Sequence, residues 1–197
     1  MSKENKLLKR SLDVLLSLIA MVLLSPIFLL LCILVYFSSP GSIFYRQIRV
    51  GERGIHYQIY KFRSMYENSE RDTGPIWASL DDKRITPVGK IMRRFHLDEI
   101  PQFFNVLIGD MSIVGPRPER PEIIEKIMKE IPDYLSRTKM KPGITGWAQL
   151  NGTYDNNIDD VSIKLQNDCY YIENFSLSFD IKILFLTLIR VLKGKGV

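Results

Sequence analysis

Cysteine is nearly absent from this 197-residue chain: Cys32 lies inside an apolar run and Cys169 precedes a Tyr-Tyr pair. Thiols so placed form neither a disulfide framework nor a metal spacing, which fits a reducing compartment. The glycine patterns of a Walker loop and of a Rossmann turn are also missing, so the two common phosphate cradles are excluded. The two histidines, His56 and His96, have no partner at metal-ligand spacing. No small-residue cleavage site follows the long N-terminal apolar run, which excludes a signal peptide. Repeats and low-complexity segments are absent. What remains is an ordinary folded composition, 46% hydrophobic and 25% charged, with a net charge of +5. Its length suits one domain with a real core. The basic balance calls for an anionic partner: nucleic acid, lipid headgroups or a phosphorylated substrate.

From Val14 to Phe37 the chain runs 24 residues without a charge. A straight helix of that length reaches roughly 36 Å, enough to cross a hydrocarbon core of about 30 Å. A spanning anchor is therefore the plain reading. Two features favour a re-entrant helix-break-helix instead. Ser25-Pro26 divides the run at its midpoint, and Pro26 deprives the Val22 carbonyl of its helical donor. Ser25 or Ser17 could satisfy the freed groups. Both flanks are also positive, with Lys3, Lys6, Lys9 and Arg10 before the run and Arg46, Arg49, Arg53, Lys61 and Arg63 after it. Positive flanks favour the cytoplasmic side, so the chain is expected to enter and leave by one face. The division is then 1–40 for the basic flank and membrane helix, and 41–197 for a cytoplasmic catalytic domain.

Ser42 to Met65 holds two β-rich runs around "GERG", a hairpin that sets Lys61 and Arg63 at the end of its second strand. Residues 66–90 are polar and read as a surface loop. Ile123, Ile124, Ile127, Met128 and Ile131 keep helical spacing over 121–131, an amphipathic core helix. In the C-terminal tail Lys182, Thr187, Arg190 and Lys193 share one arc of a helical wheel and the rest is apolar. That pattern describes either an interfacial membrane helix or an ordinary docking helix. The fold class expected is α+β, mainly helical, with interfacial amphipathic helices.

The stretch "RRFHLDEIPQFF" carries the chemistry. Proline is tolerated only in the first turn of a helix, so Pro101 puts a helix start near Leu97 to Ile100 with Asp98 and Glu99 at its N-terminus. Unpaired N–H groups and the dipole favour anions there. Adjacent helical residues point about 100° apart, so one acid can attack or bind metal while the other positions or shuttles a proton. The plainer alternative makes Asp98 an N-cap and Glu99 a dipole partner. The cations nearby argue against it: Arg93 and Arg94 precede the pair, and "GPRPERPE" follows, with Arg117 held between Pro116 and Pro118. A residue before proline avoids the α region, which partly preorganises the Arg117 fork for phosphate. Acids beside Lys61, Arg63, Arg93 and Arg117 suit phosphoryl chemistry, with Mg²⁺ and a carboxylate at phosphorus. Nucleic-acid readers share basic patches but not the apolar run.

"KFRSM", "HLDEIPQFFNVLIGDMSIVGPRPERP" and "KPGITGWAQLNG" resemble the bacterial sugar transferases, the monotopic phosphoglycosyl transferases, from about Lys9 to Lys193. The resemblance implies transfer of a sugar-1-phosphate from a UDP-sugar to polyprenyl (undecaprenyl) phosphate with release of UMP. That step starts a capsule, exopolysaccharide, O-antigen or glycoprotein glycan at the inner (cytoplasmic) membrane. It implies that Asp98 is the nucleophile and an Mg²⁺ ligand, that Glu99 completes the dyad, and that Arg93 and Arg117 bind phosphate. Ser25-Pro26 is then the break in the membrane helix. Trp147 and Gln149 are candidates for the nucleotide pocket, and the sugar is expected to be read by 66–90 and 152–175. Larger members carry extra transmembrane helices that this chain lacks; membrane lipids, a second copy or later glycosyltransferases are the expected companions. On the residues alone, a lipid-phosphate phosphatase and a non-catalytic membrane scaffold remain rivals.

Overall fold

A computed structural model describes residues 3–69, 71, 74, 82–152 and 158–193. The first element, α1 (Lys3–Ser38), is 36 residues long and includes Pro26. It is long and apolar enough to cross a membrane. The two half-helices expected on either side of Ser25-Pro26 are in fact one continuous helix. The Val22 carbonyl that Pro26 leaves without a donor accepts instead from the Ser25 hydroxyl at 2.8 Å, so helical structure continues through the proline.

Both halves of α1 lie against the same body. Near the N-terminus Lys9, Asp13 and Ser17 face inward, spaced four apart on one stripe. Further along, Leu24, Phe28, Leu31 and Val35 pack on Phe62, Met92 and Ile100. The outward face is bare hydrocarbon, including Leu15, Val22, Leu23, Leu30, Ile33 and Phe37.

The expected hairpin is present: β1 (Phe44–Val50) pairs antiparallel with β2 (His56–Phe62) in the register Phe44 to Phe62 and Val50 to His56. Phe28 of α1 meets the rings of Phe44 and Phe62, which stack on each other with centroids 5.5 Å apart. Much of the 66–90 loop lies outside the described residues, but its end is ordered. Met65 bridges Ile85, and a helix, α2 (Pro87–Arg94), starts at Pro87 behind the cap Thr86. After α2 come a 3₁₀ turn (Leu97–Glu99) and α3 (Gln102–Ile108). Buried Asn105 of α3 donates to the Gln58 carbonyl and accepts from the Tyr60 amide, fixing α3 on the hairpin.

Two three-residue strands, β3 (Ser112–Val114) and β4 (Gly143–Thr145), pair in parallel. Their backbones approach so closely that a Cβ on Gly115 or Gly143 would collide with main-chain atoms of the other segment. Between them lie α4 (Pro121–Ile127), shorter than the 121–131 expected, and a 3₁₀ stretch (Pro132–Lys139). Ile123, Ile124 and Ile127 do face the core, with Val50, Tyr134 and Val161. The chain closes with α5 (Trp147–Asn151), α6 (Ile158–Glu173) and α7 (Leu177–Leu192).

In α7 three polar side chains contact the rest of the protein. Thr187 shares a hydrogen bond with Thr145 at 2.7 Å, Arg190 donates to the carbonyls of Gln149 and Leu150, and Lys182 lies over the Trp147 ring. Ile181, Phe185, Leu188 and Leu192 form the exposed stripe. The helix docks by a mixed face, with Ile183 fully buried and Phe179 and Leu184 packed on the core beside these polar contacts, and leaves the apolar stripe outside.

Candidate active site

Asp98 and Glu99 sit one turn before the position expected of them. They belong to the 3₁₀ turn, and α3 begins at Gln102 behind Pro101, with no side-chain cap. Pro101 has no N–H to donate backwards, so the regular helical ladder starts after it. His96 makes the turn possible by adopting a left-handed conformation at φ 54. Such a conformation is uncommon for a residue with a Cβ. It ends α2 and redirects the chain so that both acids face the cations.

The two carboxylates are both buried, at 7% and 5% exposure, yet their surroundings differ. Glu99 Oε1 accepts from Lys61 Nζ at 2.7 Å and from Arg117 Nη2 at 2.6 Å, while Arg117 Nη1 reaches Oε2 at 3.4 Å. Burial pushes the Glu99 carboxyl up, but Arg117 and Lys61 outweigh it and hold the group well below the usual carboxylate range. In the other direction, Glu99 raises the Arg117 guanidinium above its ordinary value. Asp98 accepts no hydrogen bond from any described residue. Burial raises its pKa; Lys61, Arg93 and Arg117 pull the other way, and Glu99 adds to the rise. Arg93 stands close enough to act on Asp98 electrostatically and is itself fixed by its Nε, which donates to Ser64 Oγ at 2.9 Å. The result is one anion clamped by two cations and a second left open within the same positive field.

Arg117 is held from behind by residues the sequence did not single out. Arg137 donates to the Arg117 carbonyl at 2.8 Å and pairs with Asp168 at 2.6 Å, both side chains at 4% exposure or less. Gly143 donates to the Pro116 carbonyl, and Arg49 donates to the Pro118 carbonyl. Glu119 in turn binds Lys164 at 2.7 Å and faces Arg49 at 3.7 Å. Burial raises the Glu119 pKa, but Lys164, Arg137 and Arg49 prevail and bring it down to about 2. Both prolines and this frame restrict the backbone freedom of Arg117. The partners lie 20 to 70 residues away along the chain, where no local pattern could reveal them.

Not every expected residue joins the site. Arg63 is buried and donates to the carbonyls of Val35, Ser39 and Pro40 at the C-terminus of α1. It caps a helix whose last carbonyls lack donors, and both of its Nη groups are engaged there. Trp147 packs among Tyr170, Phe179 and Lys182, and Gln149 donates to the Ile144 carbonyl. Neither contacts the acid pair through a hydrogen bond or ring contact. Ser25 and Pro26 belong to α1, away from the chemistry. Of the four cations expected, Lys61, Arg93 and Arg117 gather at the acids.

A divalent cation fits this donor set at one point. Among the described residues no three His, Cys, Asp or Glu side chains cluster, and both Glu99 oxygens are engaged. Mg²⁺ is often held by one or two carboxylates with water and substrate phosphate, and Asp98 has the free oxygens for that.

A protein-family model described as "Bacterial sugar transferase" matches residues 4–194. The chain belongs to the bacterial sugar transferase family. It is 46% identical, over 96% of its length, to the UDP-N-acetylgalactosamine-undecaprenyl-phosphate N-acetylgalactosaminephosphotransferase of Aeromonas hydrophila, covering 44% of that protein. It is 43% identical, over 100% of its length, to the UDP-glucose:undecaprenyl-phosphate glucose-1-phosphate transferase of Escherichia coli K12, covering 42% of it. It thus spans less than half of these two larger relatives. With the exopolysaccharide production protein PSS of Rhizobium leguminosarum bv. phaseoli it shares 37% identity over 96% of its own length and 98% of the relative.

Proposed function

We propose that this bacterial sugar transferase moves a sugar-1-phosphate from a UDP-sugar to undecaprenyl (polyprenyl) phosphate. The observation that carries the reading is the asymmetry of the acid pair: Glu99 is locked between Lys61 and Arg117, and Asp98 is free inside the same cationic ring. The names of the relatives, which transfer sugar phosphates to undecaprenyl phosphate, supply the substrate class.

In the first step an Asp98 carboxylate oxygen attacks the sugar-bearing phosphorus of the donor. The bridging P–O bond breaks with its electron pair going to UMP, which leaves. The product is an acyl phosphate between Asp98 and the phospho-sugar. A phosphate oxygen of polyprenyl phosphate then attacks that phosphorus, the bond to Asp98 breaks, and the carboxylate is regenerated. Glu99 keeps Lys61 and Arg117 aimed at the diphosphate, and Arg93 balances charge on the Asp98 side. Mg²⁺ bound by Asp98 together with donor oxygens would neutralise charge on the diphosphate.

Two exposed apolar faces support a membrane setting. α1 turns Leu15, Val22, Leu23, Leu30, Ile33 and Phe37 outward and α7 turns Ile181, Phe185, Leu188 and Leu192 outward, where a helix surrounded by water would carry polar residues. Both ends of α1 bind the same body: Arg10 donates to the carbonyls of Val106 and Leu107, and Arg63 caps the other end. A helix crossing a bilayer would leave one end on the far side. These contacts support a monotopic, re-entrant placement at the inner membrane with the catalytic body on the cytoplasmic face.

The test is direct. Purified protein with Mg²⁺, undecaprenyl phosphate and a panel of UDP-sugars should release UMP with one or a few of them, and Asp98→Asn should release none. A phosphatase would free inorganic phosphate without nucleotide, and a scaffold would tolerate Asp98→Asn; either result would overturn the reading.

A further inference from the structure

Among the described residues Arg53, Asn68 and His96 have positive φ despite carrying a side chain. Arg53 and Asn68 are exposed, whereas His96 is half-buried between Arg93 and Asp98. Elsewhere such positions are glycine, as at Gly54 and Gly109. Glycine adopts this conformation without strain, and a residue with a Cβ does not. The turn before the acid pair would therefore form more readily without the imidazole. Local bonding does not account for the ring either: it makes no side-chain hydrogen bond or ion pair with a described residue.

Its surroundings are those of the active site. Glu99 acts on the ring electrostatically, followed by Arg117, Asp98 and Lys61. The His96 carbonyl accepts from the Glu99 amide at 3.2 Å, which ties its backbone to the same turn. The ring thus borders the acids and their cations on a side that is not sealed by the core. We propose that the His96 imidazole hydrogen-bonds a hydroxyl of the donor's sugar and so helps to select which sugar is transferred. The inference rests on the transferase function above and adds a residue that reads its substrate.

The chemistry of the ring selects a hydroxyl over a phosphate. Lys61, Arg93 and Arg117 already gather at the acids, and their side chains only donate, as phosphate oxygens require. Burial lowers the His96 pKa, so near pH 7 the ring is neutral, with one N–H donor and one acceptor nitrogen. A sugar hydroxyl also donates and accepts, so it matches the imidazole either way round. Position agrees. The sugar is carried by the phosphorus that Asp98 attacks, and His96 lies two residues before Asp98. Ribose hydroxyls share the chemistry but sit one phosphate farther along the donor.

The experiment follows UMP release by the full chain with Mg²⁺ and undecaprenyl phosphate. The donors are UDP-glucose, UDP-galactose, UDP-N-acetylglucosamine and UDP-N-acetylgalactosamine, then the monodeoxy analogues of whichever wild type uses best. His96→Gly should lower kcat/KM for that best donor about tenfold, the loss of one hydrogen bond. For the analogue that lacks the hydroxyl being read, the same change should cost less than about twofold. His96→Asn tolerates the left-handed backbone and keeps a donor and an acceptor, so it should recover part of the loss. UDP, which has the phosphates and ribose but no sugar, should inhibit wild type and His96→Gly with constants within about twofold of each other. The melting temperature of His96→Gly should match or exceed that of wild type. Equal losses on the best donor and every analogue, weaker inhibition by UDP, or a lower melting temperature for His96→Gly overturns the proposal. An unchanged kcat/KM overturns it too and leaves the transferase reading intact. No UMP from wild type with any of the four donors removes both.

Discussion

Two clusters bury carboxylates among cations, and they are built differently. Under α1, Asp180 gives one oxygen to Lys9 at 2.6 Å and accepts at the other from the Tyr171 hydroxyl at 2.7 Å. Asp13 nearby accepts from the Ser112 hydroxyl and the Ile113 amide, and Lys9 also donates to the Val114 carbonyl. That cluster is closed. At the acid pair Glu99 is equally satisfied, but Asp98, one residue away, accepts no hydrogen bond among the described residues. Asp98 is balanced by the surrounding positive field of Lys61, Arg93 and Arg117 but keeps its oxygens for a further partner. A closed cluster suits holding a structure together; an open one suits meeting another molecule.

The comparison is broken most severely at Asp98. Asp98→Asn keeps the shape and removes the attacking charge, so UMP release should fall by about 10³-fold or more. Thermal unfolding should stay about level, because no hydrogen bond from a described residue to Asp98 is lost and its isosteric replacement still fills the site. Arg117→Lys comes next. It keeps the charge but loses the fork that meets both oxygens of Glu99, and kcat/KM should drop by about 10²-fold.

The closed cluster should respond in the opposite currency. Asp180→Asn leaves Lys9 buried without its anion, which should cost about 3 kcal/mol and lower the melting temperature by roughly 6–12 °C. Protein that remains folded should turn over normally. Loss of activity without loss of stability would mean that the distinction between the clusters is mistaken.

The smallest effect concerns pH. Glu119 has its pKa lowered from 4.5 to about 2. A carboxyl depressed on folding contributes stability above its unfolded pKa and loses it as pH falls through the folded one. The contribution, at most about 3 kcal/mol, should fade between about pH 4.5 and 2. Denaturant titrations should show the advantage of wild type over Glu119→Gln shrinking across that window. A constant difference would contradict the pairing with Lys164 and Arg49.

Local patterns in the sequence were enough for the apolar α1 and the hairpin around "GERG", and for singling out the acid pair, since each rests on neighbours in the chain. The start of α3 was displaced because the left-handed His96 and the missing Pro101 amide interpose a separate turn. Arg63 was assigned to phosphate by its nearness to Lys61, but β2 ends at Phe62, so Arg63 is not held in the strand's alternation and meets the end of α1 instead. The wheel of α7 was right about which residues share an arc and silent on which arc faces inward. The support behind Arg117, from Arg49, Glu119, Arg137, Lys164 and Asp168, depends on contacts between distant segments.

The account stands on the free carboxylate of Asp98 forming a covalent bond to phosphorus. Enzyme mixed with its UDP-sugar in the absence of polyprenyl phosphate, quenched and digested, should yield a peptide containing Asp98 heavier by one sugar phosphate, together with one equivalent of UMP. Adding polyprenyl phosphate should discharge it. Normal turnover with an acceptor, and no such peptide at any time before it, would contradict the account.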